Sequence, residues 1–359
     1  MDPSSSVWQP YTLGKLPLPH RLAMAPMTRN RANADGTPGV HATQYYAQRA
    51  SLGLVITEGV QPSEDGQGYL NTPGIHTPEQ IAGWKPIAEA VHDNGGYLFL
   101  QLMHAGRISH PDNTPHHRPP VAPSAISAEQ DMITPTGPQK TPVPRELSTA
   151  EIRTVIDEFR RAAAGAIAAG ADGVEIHAAN GYLLHQFLSP NANERTDAYG
   201  GSVENRARFV IEVAQAIAQE IGGDRTGIRI SPAFPLGGLD EGDTEAVRAQ
   251  YRYLVEQLAD LGLVYLHVHH LGDDDLLRSL RQTWPTAVLV VRYGREREQI
   301  AADIDAGLAD IAPLGRFALA NPDIVQRLRT GAALNEVDPS TLYGGGTSGY
   351  TDYPTLSPA

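Results

Sequence analysis

Short apolar runs alternate with longer amphipathic stretches along the chain. The apolar runs fall at Leu22–Thr28, Leu54–Val60, Tyr97–His104, Gly173–Ala179, Thr226–Pro232, Leu263–His270, Ala287–Tyr293 and Asp310–Arg316. Most lack the polar alternation of a half-exposed strand, so they read as strands buried on both faces. A helical pattern follows each. Thr77-Pro78-Glu79-Gln80 supplies an N-cap, a proline in the first turn and a capping-box glutamine, and Gly95 closes that helix. Ile81, Trp84, Ile87, Ala88 and Val91 then share one face. Ser148 and Glu151 open a second helix carrying Ile152, Val155, Ile156, Phe159 and Ile167, ended by Gly170. Val247, Tyr251, Leu254, Val255, Leu258 and Leu261 form a third stripe.

Eight strand–helix units predict an α/β fold, a single (β/α)₈ barrel spanning residues 1–359. An open doubly wound sheet is the alternative, but no Gly-x-Gly-x-x-Gly turn follows the first strand. Residues 105–147, rich in Pro and His, are too long for an ordinary βα loop and are expected to cap the barrel mouth. Residues 338–359 read as an irregular C-terminal arm.

Composition narrows the function. With 28 basic against 41 acidic side chains the net charge is −13, which disfavours nucleic acid and anionic membrane as partners. The chain has no cysteine, which removes disulfides, thiolate metal sites and a Cys nucleophile. No signal peptide or membrane span is expected, so the protein is placed in the cytoplasm, as a monomer or homodimer.

Function in a barrel gathers where strands end. There the sequence places Ala25-Pro26-Met27-Thr28, Glu58-Gly59, Gln101, His104, His177 through Tyr182, Arg229, Gly294, Gly315 and Arg316. No convergent carboxylate pair and no Ser-His-Asp order stands out, which is poor material for a hydrolase. The set suits a flat, anionic cofactor. Gln101 can bond the pyrimidine edge of an isoalloxazine, and Arg229 can neutralise charge that builds there on reduction. An alternative partner for a buried Arg229 is a carboxylate such as Glu58. Gly294 and Gly315 admit backbone amides to a phosphate, and Arg316 adds a charged fork. His177 and Asn180 are two donors that could polarise one carbonyl or nitro oxygen, and Tyr182 follows with a phenol that can give a proton. His267 and His269 should share one strand face, with His270 on the other. They could line the pocket or simply pack in the core. His116-His117 lacks the spacing of a metal site, and no metal is expected.

The segments His177-Ala178-Ala179-Asn180-Gly181-Tyr182-Leu183, Asn193-Glu194-Arg195-Thr196-Asp197-Ala198-Tyr199-Gly200-Gly201-Ser202, Ala25-Pro26-Met27-Thr28, Gly315-Arg316 with Ala320-Asn321-Pro322-Asp323, and Gly349-Tyr350-Thr351-Asp352-Tyr353-Pro354 resemble the Old Yellow Enzyme family of FMN-dependent ene-reductases. The likeness runs through nearly the whole chain in order. It implies that Pro26, Met27, Thr28, Gly59, Gln101, His177 and Arg229 contact the flavin, and that Gly294, Gly315 and Arg316 hold its phosphate. It implies that His177 and Asn180 bind the activating oxygen of the substrate, that Tyr182 protonates it, and that Tyr69, Met103 and Tyr343 line the substrate pocket. The implied reaction is a two-stage hydride transfer, from NADPH (or NADH) to FMN and then to enones, maleimides or nitroalkenes. Thr28 resembles the branch with Thr beside the flavin. Met103 stands where many relatives carry Trp, which bears on pocket shape. Arg292 departs from the usual small residue and either adds a phosphate contact or shifts the loop. Pro313-Leu314 before Gly315 is a further departure. Competing readings are a nitrate ester or nitro-compound reductase on the same scaffold, a metal-dependent barrel hydrolase or aldolase using His177 and the sixth-strand histidines, and a non-catalytic flavin carrier.

Overall fold

A computed structural model describes residues 4–356. Its central sheet is parallel and built from β1 (Leu22–Met24), β2 (Leu54–Val60), β3 (Tyr97–Leu102), β4 (Gly173–Ala178), β5 (Thr226–Ile230), β6 (Tyr265–His270), β7 (Ala287–Arg292) and β8 (Ala312–Leu314). Neighbours run β7-β6-β5-β4-β3-β2-β1-β8. A parallel bridge between Leu289 and Ile311, with the Asp310 amide donating to the Val288 carbonyl at 2.7 Å, joins the two ends into a cylinder. The (β/α)₈ barrel expected from the apolar periodicity is therefore the fold.

Six of the eight strands stop sooner than the apolar runs implied, β1 by four residues and β3, β4, β5, β7 and β8 by one or two. β1 ends at Met24, because Pro26 brings no amide and the Arg29 amide turns to the Glu58 carboxylate instead of a neighbouring strand. β8 ends at Leu314, and Arg316 is the first residue of a short helix rather than the last of a strand. Pro313 inside β8 also removes one ladder donor.

Around the cylinder lie α1 (Ala42–Ala47), α2 (Pro78–Asp93), α3 (Thr149–Ala168), α4 (Leu183–Leu188), α5 (Val203–Ile221), α6 (Thr244–Ala259), α7 (Asp274–Thr283), α8 (Ala302–Asp305), α9 (Arg316–Ala320) and α10 (Ile324–Thr330). Both expected capping boxes form: Thr77 with Gln80 at α2, and Ser148 with Glu151 at α3. The outer faces of the strands, including Val55, Leu98, Leu100, Val174, Ile176, Ile228, Leu266 and Val288, pack against Trp84, Phe159, Phe209, Val213, Leu254 and Leu258 of the helices. Each such fully buried aliphatic side chain contributes roughly 1.5–3 kcal/mol.

The inner faces divide into two halves. At the amino-terminal end Ala23, Leu54, Ile56, Phe99, Tyr265, Ala287, Leu289 and Ile311 fill the cylinder, and a hairpin of Tyr11–Leu13 with Leu16–Leu18 plugs it through Leu13 and Leu18. At the carboxyl end the inward positions turn polar, with Gln101, Glu175, His177, Arg229, His267 and His269 all buried. Apolar packing holds the floor rigid, and the polar layer sits on it where the loops begin.

Residues 105–147 do form an excursion beside the mouth. It holds a hairpin, Asp131–Thr134 with Gly137–Lys140, and its Ile108, Ala128 and Met132 pack on Tyr69 and Tyr182. The buried Arg107 ties it down by donating to the Gly237 carbonyl at 2.8 Å. The C-terminal arm is irregular, as expected, through residue 356. Arg29 donates to the carbonyls of Leu342 and Gly349, Arg31 to those of Thr341 and Ser348, and Tyr350 stacks on Tyr45 at 4.1 Å. The last residues of the predicted arm, 357–359, lie outside the described part.

Candidate active site

Strand register sets the polar layer. Gly59 pairs with Gln101, and Gln101 with Glu175; one step higher His177 pairs with Arg229, and Arg229 with His267. Residues of five successive strands, β2 to β6, thus share one surface, because parallel strands in a barrel stack alternate side chains into layers. Glu175 is fully buried. Its Oε1 accepts from Gln101 Nε2 at 2.7 Å and its Oε2 from His267 Nδ1 at 2.8 Å. Burial alone would raise its pKa, but His267, Arg229 and Gln101 together hold it below the usual carboxylate value, so it is ionised. The carboxylate whose charge acts on Arg229 is therefore Glu175, on the neighbouring strand, not Glu58. Glu58 serves the Arg29 amide at 3.0 Å and faces the Tyr46 phenol.

Above this layer β4 gives way to a sharp turn. Asn180 adopts φ +56° and Gly181 φ +86°, left-handed conformations that Asn tolerates and Gly adopts freely. The turn is held at three points. The Asn180 amide donates to Ser231 Oγ at 2.7 Å, the Gly181 amide to His185 Nδ1 at 3.0 Å, and His185 Nε2 in turn meets Glu241 at 3.3 Å and Tyr251 at 3.1 Å. The result brings three predicted residues together. His177 and Tyr182 meet edge to face at 5.0 Å, and Asn180 lies between them in the chain. Asn180 Oδ1 accepts from His269 Nδ1 at 3.1 Å, which leaves its Nδ2 hydrogens as the free donors.

The protonation states follow from burial. Burial first, then the Arg229 charge, drives the His177 pKa well below its ordinary value, so its imidazole is neutral and donates through one N–H. Burial, then Tyr69, pushes the Tyr182 phenol well above its ordinary value, so it keeps its proton. Tyr69 and Tyr182 hydroxyls stand 3.2 Å apart. Tyr69 thus stands beside Tyr182, the two rings edge to face at 6.4 Å. Tyr343 is 67% exposed and belongs to the rim, close enough for its phenol to influence Tyr69 and Tyr182.

A cavity of about 320 Å³ runs from Pro26, Met27, Arg229 and His269 to Gly294, Gly315 and Arg316. It unites the expected ring and phosphate ends of a flavin site. Gly294 has φ +70° with open space where a Cβ would be. Arg316 is exposed and meets the Arg295 carbonyl at 3.3 Å, Glu296 at 3.6 Å and the Phe317 ring at 5.0 Å. Arg292, the open question of that loop, is committed elsewhere. It is forked onto Asp303 and reaches Asp274 at 2.9 Å, so it shapes the loop and has no free charge for a phosphate. Thr28 continues from Met27 along the mouth and is half-buried. Gly59 sits at an irregular register of β2, where an added Cβ would come 2.5 Å from Met103 Sδ. Met103 is buried and packs across that glycine.

Arg229 Nε and His177 Nδ1 are buried and find no partner among the described residues, as do His267 Nε2 and His269 Nε2. A buried polar atom without a partner costs about 1–3 kcal/mol. Two of them, on Arg229 and His269, belong to residues lining the cavity of about 320 Å³, which fits a polar planar group such as an isoalloxazine. The sixth-strand histidines split as period two requires: His267 and His269 face inward, while His270 points out to Asp274. Among the described residues no cluster of three or more His, Asp or Glu is arranged to hold a metal ion. No helix of the described residues is long and apolar enough to cross a membrane.

Three residues that position the site carry no motif signal: Glu175, His185 and Glu241. Glu175 could have been found by counting two residues back from His177 along its strand.

A (β/α)₈ barrel with a flavin-sized polar mouth defines the class: a flavin-dependent oxidoreductase fold. Comparison with known proteins gives the family. The NADH:flavin oxidoreductase / NADH oxidase family matches residues 6–335, and the chain belongs to it, in agreement with the Old Yellow Enzyme resemblance. A 12-oxophytodienoate reductase 1 of Oryza sativa subsp. japonica is 43% identical over 362 residues, covering 97% of this chain and 92% of the relative. A probable flavin mononucleotide-dependent alkene reductase of Leishmania infantum is 39% identical, covering 97% of each. The solved structure of morphinone reductase in complex with tetrahydroNAD superposes with a TM-score of 0.93 at 44% identity, covering 98% of both chains. The old yellow enzyme homologue from Zymomonas mobilis superposes with a TM-score of 0.93 at 36% identity, covering 98% of this chain and 100% of that one.

Proposed function

We propose that this chain is an FMN-dependent ene-reductase that reduces carbon–carbon double bonds activated by a carbonyl or nitro group. The observation that carries the proposal is the trio His177, Asn180 and Tyr182, two neutral donors and a protonated phenol gathered on one strand end above a buried Arg229. The names of the relatives, an alkene reductase and a morphinone reductase among them, support it.

Pro26, Met27, Thr28, Gly59, Gln101 and Arg229 would hold the isoalloxazine and ribityl chain, with His177 at its edge. Gly294, Gly315 and Arg316 would hold the phosphate. Bound FMN supplies the two-electron carrier that accepts hydride from a nicotinamide nucleotide and passes it to the alkene. The protein's own part is electrostatic and protonic. His177 and the Asn180 amide hydrogens donate to the oxygen that activates the alkene and stabilise the negative charge that grows on it. Tyr182 holds a proton that its burial makes unavailable to water and gives it to the carbon next to the activating group. Tyr69, Met103 and Tyr343 shape the pocket and set which enones, maleimides or nitroalkenes enter.

The donor is NADPH or NADH, with NADPH as the first choice. Comparison of kcat/KM for the two nucleotides decides between them. The reading itself is tested by the visible spectrum of the purified protein. It should be yellow, bleach anaerobically with NADPH or NADH, and recover its colour on addition of 2-cyclohexenone. A folded protein that stays colourless with excess FMN would end the reading.

A further inference from the structure

Glu175 has no place in the chemistry above, yet it is the one carboxylate sealed in the polar layer at the barrel mouth. It is 0% exposed and lies on the strand that carries His177, two residues earlier. Its two oxygens are taken by neutral donors, Gln101 Nε2 at 2.7 Å and His267 Nδ1 at 2.8 Å. Arg229 lies on the adjacent strand β5, two residues beyond Gly227, the register partner of Glu175, and it is buried with Nε unpartnered. An arginine stays charged in this setting, so a buried one needs a counter-charge nearby. Glu175, diagonal to it across the β4–β5 pair, is the carboxylate whose charge acts on it.

This geometry also fixes which way Gln101 presents itself. One Gln101 N–H is spent on Glu175, so its carbonyl oxygen and remaining N–H are what it offers a ligand. Gln101 is therefore a pre-aimed acceptor as well as a donor, matching the N–H and carbonyl pattern along a pyrimidine edge.

We propose that Glu175 is the positioning residue that sets the redox poise of the site: it aims Gln101 and partly cancels the Arg229 charge that would otherwise favour the reduced, anionic cofactor. The inference rests on the FMN reading. Its sign is definite. With Glu175 present, Arg229 acts on the ring as a muted positive charge. Without it, Arg229 acts at full strength, and reduction becomes easier.

The test is the FMN midpoint potential of holoenzyme, measured anaerobically against a reference dye. Glu175→Gln, which keeps shape and hydrogen-bonding reach, is expected to move the potential positive by a tenfold change in the reduction equilibrium, about 30 mV for a two-electron couple. A purely structural role would not move it in that direction. An unchanged or more negative potential overturns the inference. A second pair of variants guards against misfolding of the first. Arg229→Met leaves Glu175 as a lone buried carboxylate and should weaken FMN binding, and adding Glu175→Gln to it should restore affinity about tenfold. No restoration overturns the inference as well. Yellow wild-type protein with an unshifted variant defeats this inference alone, whereas wild-type protein that binds no FMN defeats the cofactor reading together with it.

Discussion

The His269 imidazole stands 3.1 Å from the carboxamide oxygen of Asn180 and thereby decides which end of that amide faces the mouth. An amide can turn over at little cost when nothing holds it, and a turned Asn180 would present an oxygen to the substrate oxygen. His269 is itself wedged between Phe234, at 4.4 Å, and Tyr293, at 6.5 Å. Burial, then Arg229, lowers its pKa to about 3, so it is neutral wherever the enzyme works and its Nδ1–H stays on Asn180.

His269→Leu is accordingly expected to weaken binding of a phenol inhibitor by roughly tenfold, the value of one oriented hydrogen bond to a charged group. FMN content is measured in parallel, and the affinities are compared on FMN-loaded protein. His269→Asn, which restores an N–H at similar reach, should recover most of the affinity. Titration of the phenol charge-transfer band checks both. Equal losses in the two variants would show that His269 only fills space.

Tyr182→Phe should slow reoxidation of the reduced enzyme by 2-cyclohexenone by about 10²–10⁴-fold, the range for loss of a positioned general acid. Reduction by NADPH or NADH, which needs no proton from Tyr182, should change little. Stopped-flow measurement of the two half-reactions separates them. Tyr69→Phe removes only the 3.2 Å hydroxyl contact and is expected to have a smaller effect on the same half-reaction. Equal slowing of both halves by Tyr182→Phe would remove it as the proton donor.

Gly59→Ala should drive Met103 out of its place, since the new methyl would lie 2.5 Å from Sδ and 3.0 Å from Cβ. Overpacking of this kind costs about 1–3 kcal/mol. Met103→Ala added to it should return most of the lost thermal stability, because the two side chains compete for one volume. A double variant no more stable than Gly59→Ala would place the strain elsewhere.

Glu58 gives a pH prediction. Burial, opposed by the hydrogen bond from the Arg29 amide and by the Arg29 charge, raises its pKa from 4.5 to about 7. The folded protein therefore binds a proton there that the unfolded chain releases between about pH 4.5 and 7. Its contribution to stability is fully present below 4.5 and is lost as pH rises towards 7. Glu58→Gln should flatten that part of the stability profile and be relatively more stable at pH 8 than at pH 5. Parallel urea melts of the two proteins across this range, with the same slope in each, would refute it.

Much of this was legible in the chain. The barrel followed from apolar runs spaced by helix signals, because burial on both strand faces leaves a continuous apolar pattern and eight strand–helix units are enough to close a cylinder. His177, Asn180 and Tyr182 could be picked out because they crowd one strand end. The short β1 and β8 were not legible, since Pro26 and Pro313 act through hydrogen bonds to neighbouring strands whose register local sequence does not state. Nor was the fate of Arg292, whose partners Asp274 and Asp303 come from two different helices.

The amino-acid sequence by itself determined the barrel, the excursion over its mouth, and the residues offered at its rim, since periodicity and capping are local properties of the chain. Only the tertiary structure decided that Glu175 rather than Glu58 answers Arg229, that His269 aims Asn180, and that Arg292 is neutralised. Each of those is an interaction of charges or hydrogen bonds between different elements of the fold, and assembly of the barrel is what brings them within reach.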